Sequence, residues 1–177
     1  MLRQGDIAPD FEAENARAEK FRLRDMLQKG PVAVVFLRYI GCPICRLRIG
    51  EMARDDRKLE EMNLQLLIVV ESDAEHVERY LSSKDIRLNV IPDPRRELYD
   101  LFDVRPGSIG GYLSPSTLAT SVKAVLQGHM HGAFEGDEFQ FPAAFVIGTD
   151  GILKYAVYGR NPADSASAEE LIGSLKD

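Results

Sequence analysis

The chain has 177 residues, of which 45% are hydrophobic and 28% are charged, and this composition predicts one packed domain and excludes a disordered chain. The formal net charge of −6 at pH 7 argues against a surface that binds nucleic acid or an anionic membrane. A local basic patch formed by Arg46, Arg48 and Arg54 would still suit an anionic partner.

The sequence predicts a cytoplasmic protein without membrane contact. Its N-terminus lacks the apolar region of a signal peptide, and no apolar stretch approaches the roughly 20 residues that cross a bilayer. Thiols stay reduced in the cytoplasm, so a close cysteine pair is expected to be catalytic or metal-binding there.

The first strong structural signal is the apolar run PVAVVFL over 31–37, which predicts a strand that is buried on both faces. The run ends just before both cysteines of the chain. A helix is predicted after them, because Ile49, Met52 and Leu59 recur at helical spacing. Cys45 projects onto the same apolar stripe, which predicts that its thiol is shielded.

The rest of the chain alternates strand and helix signals. The pattern predicts strands over 64–70, 88–93, 143–148 and 152–159 and helices over 73–82, 98–102, 116–127 and 167–175. The last two strands form an antiparallel hairpin around a Thr-Asp-Gly turn. We therefore predict an α/β fold with a central mixed sheet flanked by helices, in a single domain 1–177. The segment 105–140 is interpreted as a helical and loop insertion before the final hairpin.

The stretch RYIGCPICR over 38–46 brings Cys42 and Cys45 to a strand-to-helix junction. With Cys42 as the helix N-cap, Pro43 takes the first helical position, where its missing N–H costs nothing. Free amides and the helix dipole then favour a thiolate at Cys42. Cys45 lies one turn further and can resolve a mixed intermediate by closing a disulfide. Cys42 is thus the predicted nucleophile.

Three stretches carry a resemblance to a known family: GDIAPDFEAEN, VAVVFLRYIGCPICR and FPAAFVIGTDGILKYAVYG. Together they resemble the peroxiredoxin-like branch of the alkyl hydroperoxide reductase/thiol-specific antioxidant (AhpC/TSA) family, over most of 5–159. The resemblance implies a thioredoxin-like fold and an antioxidant oxidoreductase with no cofactor beyond its redox-active disulfide. It also implies that Pro142 forms a cis peptide bond facing the cysteine pair.

The chain departs from the peroxiredoxin pattern at three positions. Val35 and Tyr39 stand where that pattern has its proline and threonine, and Pro142 stands where it has an arginine. Groups that orient a peroxide are therefore missing, and we rank a thiol–disulfide oxidoreductase above a hydroperoxide peroxidase. The side chains that could replace the arginine are Arg38, Arg46 and Arg105.

The residues predicted to support the cysteines are Pro43, Pro142, Tyr39, Arg38 and Arg46. Tyr39, Phe141 and Arg38 are further predicted to form a rim that selects the partner. The expected partners are an oxidised thiol, disulfide or hydroperoxide substrate and a thioredoxin- or glutathione-type reductant, and a homodimer is left open.

A zinc-binding, non-enzymatic domain is the lowest-ranked interpretation. The cysteine pair could form half of a zinc site completed by His129 and His131. Those histidines stand closer together in the sequence than zinc ligands usually do, and glycines around them predict a loop. His76 lies in a charged helix and is predicted to be a surface residue.

Overall fold

The computed structural model describes residues 1–108, 113–132 and 134–175. Its elements in chain order are β1 Glu12–Glu14, β2 Lys20–Arg22, α1 Leu23–Leu27, β3 Val32–Phe36, α2 Pro43–Glu61, β4 Gln65–Val70, α3 Ala74–Ser83, β5 Asn89–Pro92, α4 Glu97–Leu101, α5 Pro115–Leu126, β6 Ala143–Ile147, β7 Leu153–Tyr158 and α6 Ala168–Gly173. None of the helices in these ranges is long and apolar enough to cross a bilayer.

The centre of the fold is a five-stranded mixed sheet with the strand order β5-β4-β3-β6-β7. β3 is parallel to β4 and antiparallel to β6, so that Val34 lies between Leu67 and Phe145. All five residues of β3 are fully buried, as expected for a valine-rich strand in the middle of a sheet. The predicted α/β fold with a central mixed sheet is confirmed.

Helices cover both faces of the sheet, and alternate residues of β3 point to opposite faces. On one face, Val35 joins an apolar cluster with residues of α2, α3 and α6. On the other face, Val34 joins a second cluster with residues of α1 and α4. The cysteines belong to the first cluster, so the pair lies on the α2 side of the sheet, at the end where β3 stops.

The predicted hairpin is present as β6 and β7, which pair antiparallel. The peptide bond before Pro142 was expected to be cis and is trans. Trans is the more favourable X-Pro isomer by about 0.5–1 kcal/mol. Pro142 directly precedes β6, and its carbonyl accepts a hydrogen bond from the Gly159 amide at 2.7 Å. Pro142 therefore lies immediately before the first residue of β6, where a missing N–H is tolerated.

The ends of the segment predicted to be an insertion lie next to each other. Pro106 and Gln140 form an antiparallel bridge, and the Gly107 amide donates to the Phe139 carbonyl at 2.8 Å. Between them, α5 packs against α2, where Lys123 pairs with Glu51 at 2.7 Å. Residues 109–112 and 133 of this segment lie outside the described ranges.

Candidate active site

Cys42 is the N-cap of α2, with Pro43 in the first turn. The backbone at Cys42 is extended, and its sulfur accepts a hydrogen bond from the Cys45 amide at 3.5 Å. Proline favours this boundary because its fixed φ suits a first helical residue and it has no N–H to leave unpaired. The sequence therefore positions Cys42 at the positive end of a helix, as predicted.

Arg38 contacts the Cys42 sulfur directly. It lies two residues after β3 with only 5% of its surface exposed, and its Nη2 donates to Cys42 Sγ at 3.0 Å. Its Nη1 donates to the Glu138 carbonyl at 2.5 Å and pairs with the Glu138 carboxylate at 3.4 Å. A guanidinium thus reaches the sulfur even though Pro142 occupies the position of the peroxiredoxin arginine.

The other two candidate arginines point elsewhere. Arg46 donates to the Ile40 carbonyl at 2.6 Å and to the Met130 carbonyl at 2.9 Å. Arg105 is exposed and pairs with Asp103 at 2.5 Å. Of the three, Arg38 is therefore the one that shares a hydrogen bond with Cys42.

These contacts divide the two thiols into a thiolate and a thiol. A hydrogen bond from the Cys45 side chain, together with the positive charge and hydrogen bond of Arg38, lowers the pKa of Cys42 to about 6 in spite of its burial. Burial and the neighbouring Cys42 raise the pKa of Cys45 well above its usual range. At neutral pH, the lowered pKa places the negative charge on Cys42 and leaves the proton on Cys45.

Both cysteines are covered. Cys45 is 5% exposed, as its place on the apolar stripe predicts, and Cys42 is 0% exposed. Residues 129–132 and 134–140, here called the covering segment, contact the loop that precedes Cys42. The Gly132 amide donates to the Gly41 carbonyl at 2.8 Å. The Cys42 sulfur is therefore buried in this arrangement, and attack on a substrate requires a rearrangement that exposes it.

Tyr39 holds the covering segment rather than pointing its hydroxyl at the sulfur. The hydroxyl donates to the Glu138 carboxylate and lies 3.3 Å from His131 Nε2. Tyr39 is fully buried and Phe141 is 7% exposed. With Arg38 buried as well, the predicted partner-selecting rim does not lie at the surface.

Two further contacts fasten the covering segment to the body of the domain. Asp137 donates its amide to the Glu71 carboxylate at 2.9 Å. Glu135 accepts a hydrogen bond from the Ser72 hydroxyl at 2.5 Å and also contacts His76. The side chain of His76 is 40% exposed, so this predicted surface residue is also part of the contact with the covering segment.

Tyr99 of α4 supports the loop that carries Arg38, and the sequence pattern did not single it out. Its fully buried hydroxyl contacts the Leu37 carbonyl and lies 3.1 Å from the Val69 carbonyl and 3.4 Å from the Arg38 carbonyl. A buried hydroxyl requires such acceptors. The signal available in the sequence was a tyrosine, rather than a phenylalanine, on the apolar side of a predicted helix.

The zinc interpretation needs the two loop histidines to join the cysteines. His131 Nε2 instead faces the Tyr39 hydroxyl, and His129 lies against Gly50 of α2. Within the described residues, no group of three or more His, Cys, Asp or Glu side chains is arranged to hold a metal ion.

The fold and the position of the cysteine pair together define a class, the thioredoxin-like thiol redox proteins. The solved structure of peroxidoxin BcpB from Mycobacterium tuberculosis has a TM-score of 0.74 and 16% identity, and the alignment covers 99% of this chain and 97% of that one. The structure of a putative thiol:disulfide interchange protein DsbE from Chlorobium tepidum has a TM-score of 0.64 and 20% identity, with 99% and 97% coverage. At these identities the likeness shows the fold.

The sequence profile of the AhpC/TSA family matches residues 4–156, and the chain belongs to that family. It is 23% identical over 159 residues to peroxiredoxin-like 2C of Homo sapiens, covering 85% of this chain and 70% of that protein. It is 25% identical over 108 residues to the thiol-disulfide oxidoreductase ResA of Bacillus subtilis (strain 168), covering 59% and 58%. The matches thus span 58–70% of the length of these relatives.

Proposed function

We propose that this protein is a thiol–disulfide oxidoreductase that uses Cys42 as the nucleophile and Cys45 as the resolving thiol. One observation carries the proposal. The Cys42 sulfur accepts a hydrogen bond from Arg38 at 3.0 Å, while Cys45 occupies the next helical turn with its proton retained. A stabilised thiolate and a protonated partner within one turn are the two groups that thiol–disulfide exchange requires.

In the first step, the Cys42 thiolate attacks one sulfur of a substrate disulfide. The substrate S–S bond breaks, a mixed disulfide forms at Cys42, and the first substrate thiolate leaves. Cys45 then gives its proton to that thiolate and attacks Cys42 Sγ, which releases the second substrate thiolate to take a proton from water. Two electrons pass from the protein to the substrate, and a dithiol of the thioredoxin type or two equivalents of a thiol such as glutathione return them.

The supporting residues have distinct roles in this proposal. Arg38 stabilises the Cys42 thiolate, and Pro43 fixes the start of α2 so that the Cys45 amide faces the sulfur. Tyr39 and Arg46 hold the covering segment. The reduced starting state fits a reducing compartment such as the cytoplasm.

The second candidate is a thiol peroxidase, and the position of Arg38 favours it. The Cys42 thiolate would attack one peroxide oxygen, the O–O bond would break, and an alcohol or water would leave after protonation. Attack by Cys45 on the resulting sulfenic acid would release water and close the disulfide. Arg38 could stabilise charge as the O–O bond breaks. Tyr39, in contrast, gives its hydroxyl to Glu138 and offers no donor to a peroxide.

A single-turnover comparison tests the ranking. The reduced protein is mixed with a disulfide, hydrogen peroxide or an organic hydroperoxide, and closure of the disulfide is followed by thiol loss. We expect the second-order rate constant to be highest with the disulfide and to vanish in Cys42→Ser, while Arg105→Met, which removes an exposed arginine, behaves as the parent. A peroxide rate far above that of an ordinary free thiol, and above the disulfide rate, would reverse the ranking. Thioredoxin and glutathione are then compared as reductants of the oxidised protein.

A further inference from the structure

A cavity of about 430 Å³ lies beside the covering segment, and the chemistry described above does not use it. Its walls come from the loop before Cys42, from α2 and α3, and from the covering segment with the residue before it. Its volume lies in the range of about 300–1,000 Å³ that is typical of small-molecule sites. Two arginines and a lysine, Arg46, Arg79 and Lys84, line the cavity together with two histidines, His76 and His129.

Much of this positive charge is available to a ligand. Arg46 gives its guanidinium to two backbone carbonyls rather than to a carboxylate, and Lys84 makes no ion pair within the described residues. The acid in the wall, Glu135, is already bonded to Ser72 and His76. Arg79 pairs with Glu75 on the exposed surface of α3, where water screens the interaction.

The same positive charges act on His129. Burial together with the positive charges of Lys84, Arg46 and Arg54 lowers the pKa of His129, while Glu51 opposes the shift. The chain as a whole carries a net charge of −6. A cationic cavity attracts anions locally even though the protein as a whole is negatively charged.

The cavity wall contains residues that flank both cysteines in the sequence, while neither cysteine is itself part of the wall. Gly41 in its wall is bonded to Cys42, and Arg46 follows Cys45 directly. The guanidinium of Arg46 lies 5.1 Å from the centre of the Tyr80 ring. That ring forms part of the wall, and its contact with the guanidinium holds Arg46 at the edge of the cavity.

Arg46 also connects the cavity to the cover over Cys42. It donates to the Met130 carbonyl at 2.9 Å and so ties the covering segment to α2. A carboxylate is a stronger partner for a guanidinium than a neutral carbonyl. A carboxylate that takes the place of the Met130 carbonyl on Arg46 would loosen this tie while it holds the ligand beside the residues that flank the cysteines.

We propose that this cavity binds the carboxylates of an anionic low-molecular-weight disulfide and so selects the substrate of the Cys42–Cys45 pair. The proposal rests on the proposed thiol–disulfide exchange and adds the substrate class to it. Attack by Cys42, release of the two substrate thiols and closure of the Cys42–Cys45 disulfide follow the balanced steps given above. Arg46, Arg79 and Lys84 are the expected carboxylate partners.

Three disulfides of similar size and different charge test the proposal: anionic 3,3′-dithiodipropionate, neutral bis(2-hydroxyethyl) disulfide and cationic cystamine. The rate constant of each with the reduced protein is divided by its rate constant with a neutral small thiol, which removes its intrinsic reactivity. We expect the normalised rate to be highest for the anionic disulfide. Lys84→Gln and Arg79→Gln should each lower the anionic-to-neutral ratio about threefold to tenfold, a modest factor because these side chains are solvent-accessible.

Arg57→Gln is the matched control because it removes one positive charge from the exposed far end of α2, where Arg57 pairs with Glu61. It should leave the ratio unchanged. Added salt should lower the ratio of the parent protein toward that of Lys84→Gln. A separate binding measurement by NMR titration uses the Cys42→Ser/Cys45→Ser variant with 3,3′-dithiodipropionate, so that it does not depend on turnover.

The outcomes separate this proposal from the function on which it rests. Equal normalised rates for the three disulfides, or an equal loss in Arg57→Gln and Lys84→Gln, would overturn the cavity proposal and leave thiol–disulfide exchange standing. If no disulfide reacts while the double serine variant still binds 3,3′-dithiodipropionate, the substrate role and the proposed exchange both fail. Binding that is lost in Lys84→Gln, together with an anionic preference in rate, supports the proposal.

Discussion

Replacing Arg38 with methionine tests whether its guanidinium makes Cys42 a thiolate. The substitution removes the donor at 3.0 Å from Cys42 Sγ and keeps an apolar stem of similar length in a buried site. A hydrogen bond between charged groups is worth about 1.5–3 kcal/mol, which corresponds to roughly 1–2 pKa units. The pKa of Cys42, lowered to about 6 in the parent, should rise by that amount.

The expected effect on rate changes sign with pH. A rise of about 1.5 units lowers the thiolate fraction at about pH 5.5 by roughly 20-fold, whereas a more basic thiolate is about fivefold more nucleophilic. Exchange with a neutral disulfide should therefore slow about fivefold near pH 5.5 and accelerate about fourfold near pH 8. A uniform loss at both pH values would indicate damage to the site instead of a changed thiolate.

The pKa is measured from the ultraviolet absorbance of the thiolate during a pH titration, in the parent and in Arg38→Met. Arg38→Lys, which keeps the charge but not the planar fork of donors, should lie between them. Arg105→Met controls for the loss of an exposed arginine. If the Cys42 pKa in Arg38→Met stays within about 0.3 units of the parent, less than half of the smallest shift expected, the role assigned to Arg38 is wrong.

Three further predictions follow from the same site. Because the folded-state pKa of Cys42, about 6, lies below the roughly 8.5 of an unfolded thiol, the free energy of unfolding of the reduced protein should rise by about 1 kcal/mol per unit between about pH 6.5 and 7.5. This gain in stability is lost as the pH falls through 6. Urea titrations should show no such pH dependence in Cys42→Ser. An equal dependence of the free energy of unfolding on pH in that variant would refute the lowered pKa of Cys42. Cys45→Ser should accumulate a mixed disulfide at Cys42 by mass spectrometry, and an adduct forming first at Cys45 in the parent would reverse the roles. In Gly132→Ala the new Cβ would lie 3.1 Å from the Gly41 Cα, besides 2.7 Å from Nη2 at the flexible end of Arg46, so the Gly132–Gly41 contact should loosen and alkylation of Cys42 should accelerate. Gly173→Ala, whose Cβ meets nothing within 4 Å, should leave the alkylation rate unchanged, and equal rates in the two variants would show that Gly132 does not hold the cover.

Local signals predicted most of the fold and the start of α2. The apolar run over 31–37 became the central strand β3, the Thr-Asp-Gly turn closed the β6–β7 hairpin, and Pro43 marked the first turn of α2. Each depends on residues close in sequence, where backbone preferences decide the outcome. The AhpC/TSA resemblance implied the thioredoxin-like fold in which these elements assemble.

Contacts between distant residues could not be predicted in this way. Glu138 lies 100 positions from Arg38 along the chain. Lys84 and Arg46 line the same cavity because Tyr80 of α3 packs against Arg46 of α2. The path of the covering segment decides whether Cys42 is exposed, and no periodicity in a glycine-punctuated loop encodes that path. The resemblance also predicted a cis peptide bond before Pro142, whereas the bond is trans. The two X-Pro isomers differ little in energy, so the surrounding structure determines which one forms.

The hydroxyl of Tyr99 makes the geometry at Cys42 depend on the order in which the chain folds. It reaches the Leu37 carbonyl across 62 positions and the Val69 carbonyl across 30. Contacts that close such long loops form late, after their entropic cost has been met by neighbouring structure. A nascent chain therefore contains both thiols before α4 arrives to fix the loop with Arg38. We therefore expect the contribution of Arg38 to the unequal acidities of the two thiols to be absent until the second face of the sheet is complete.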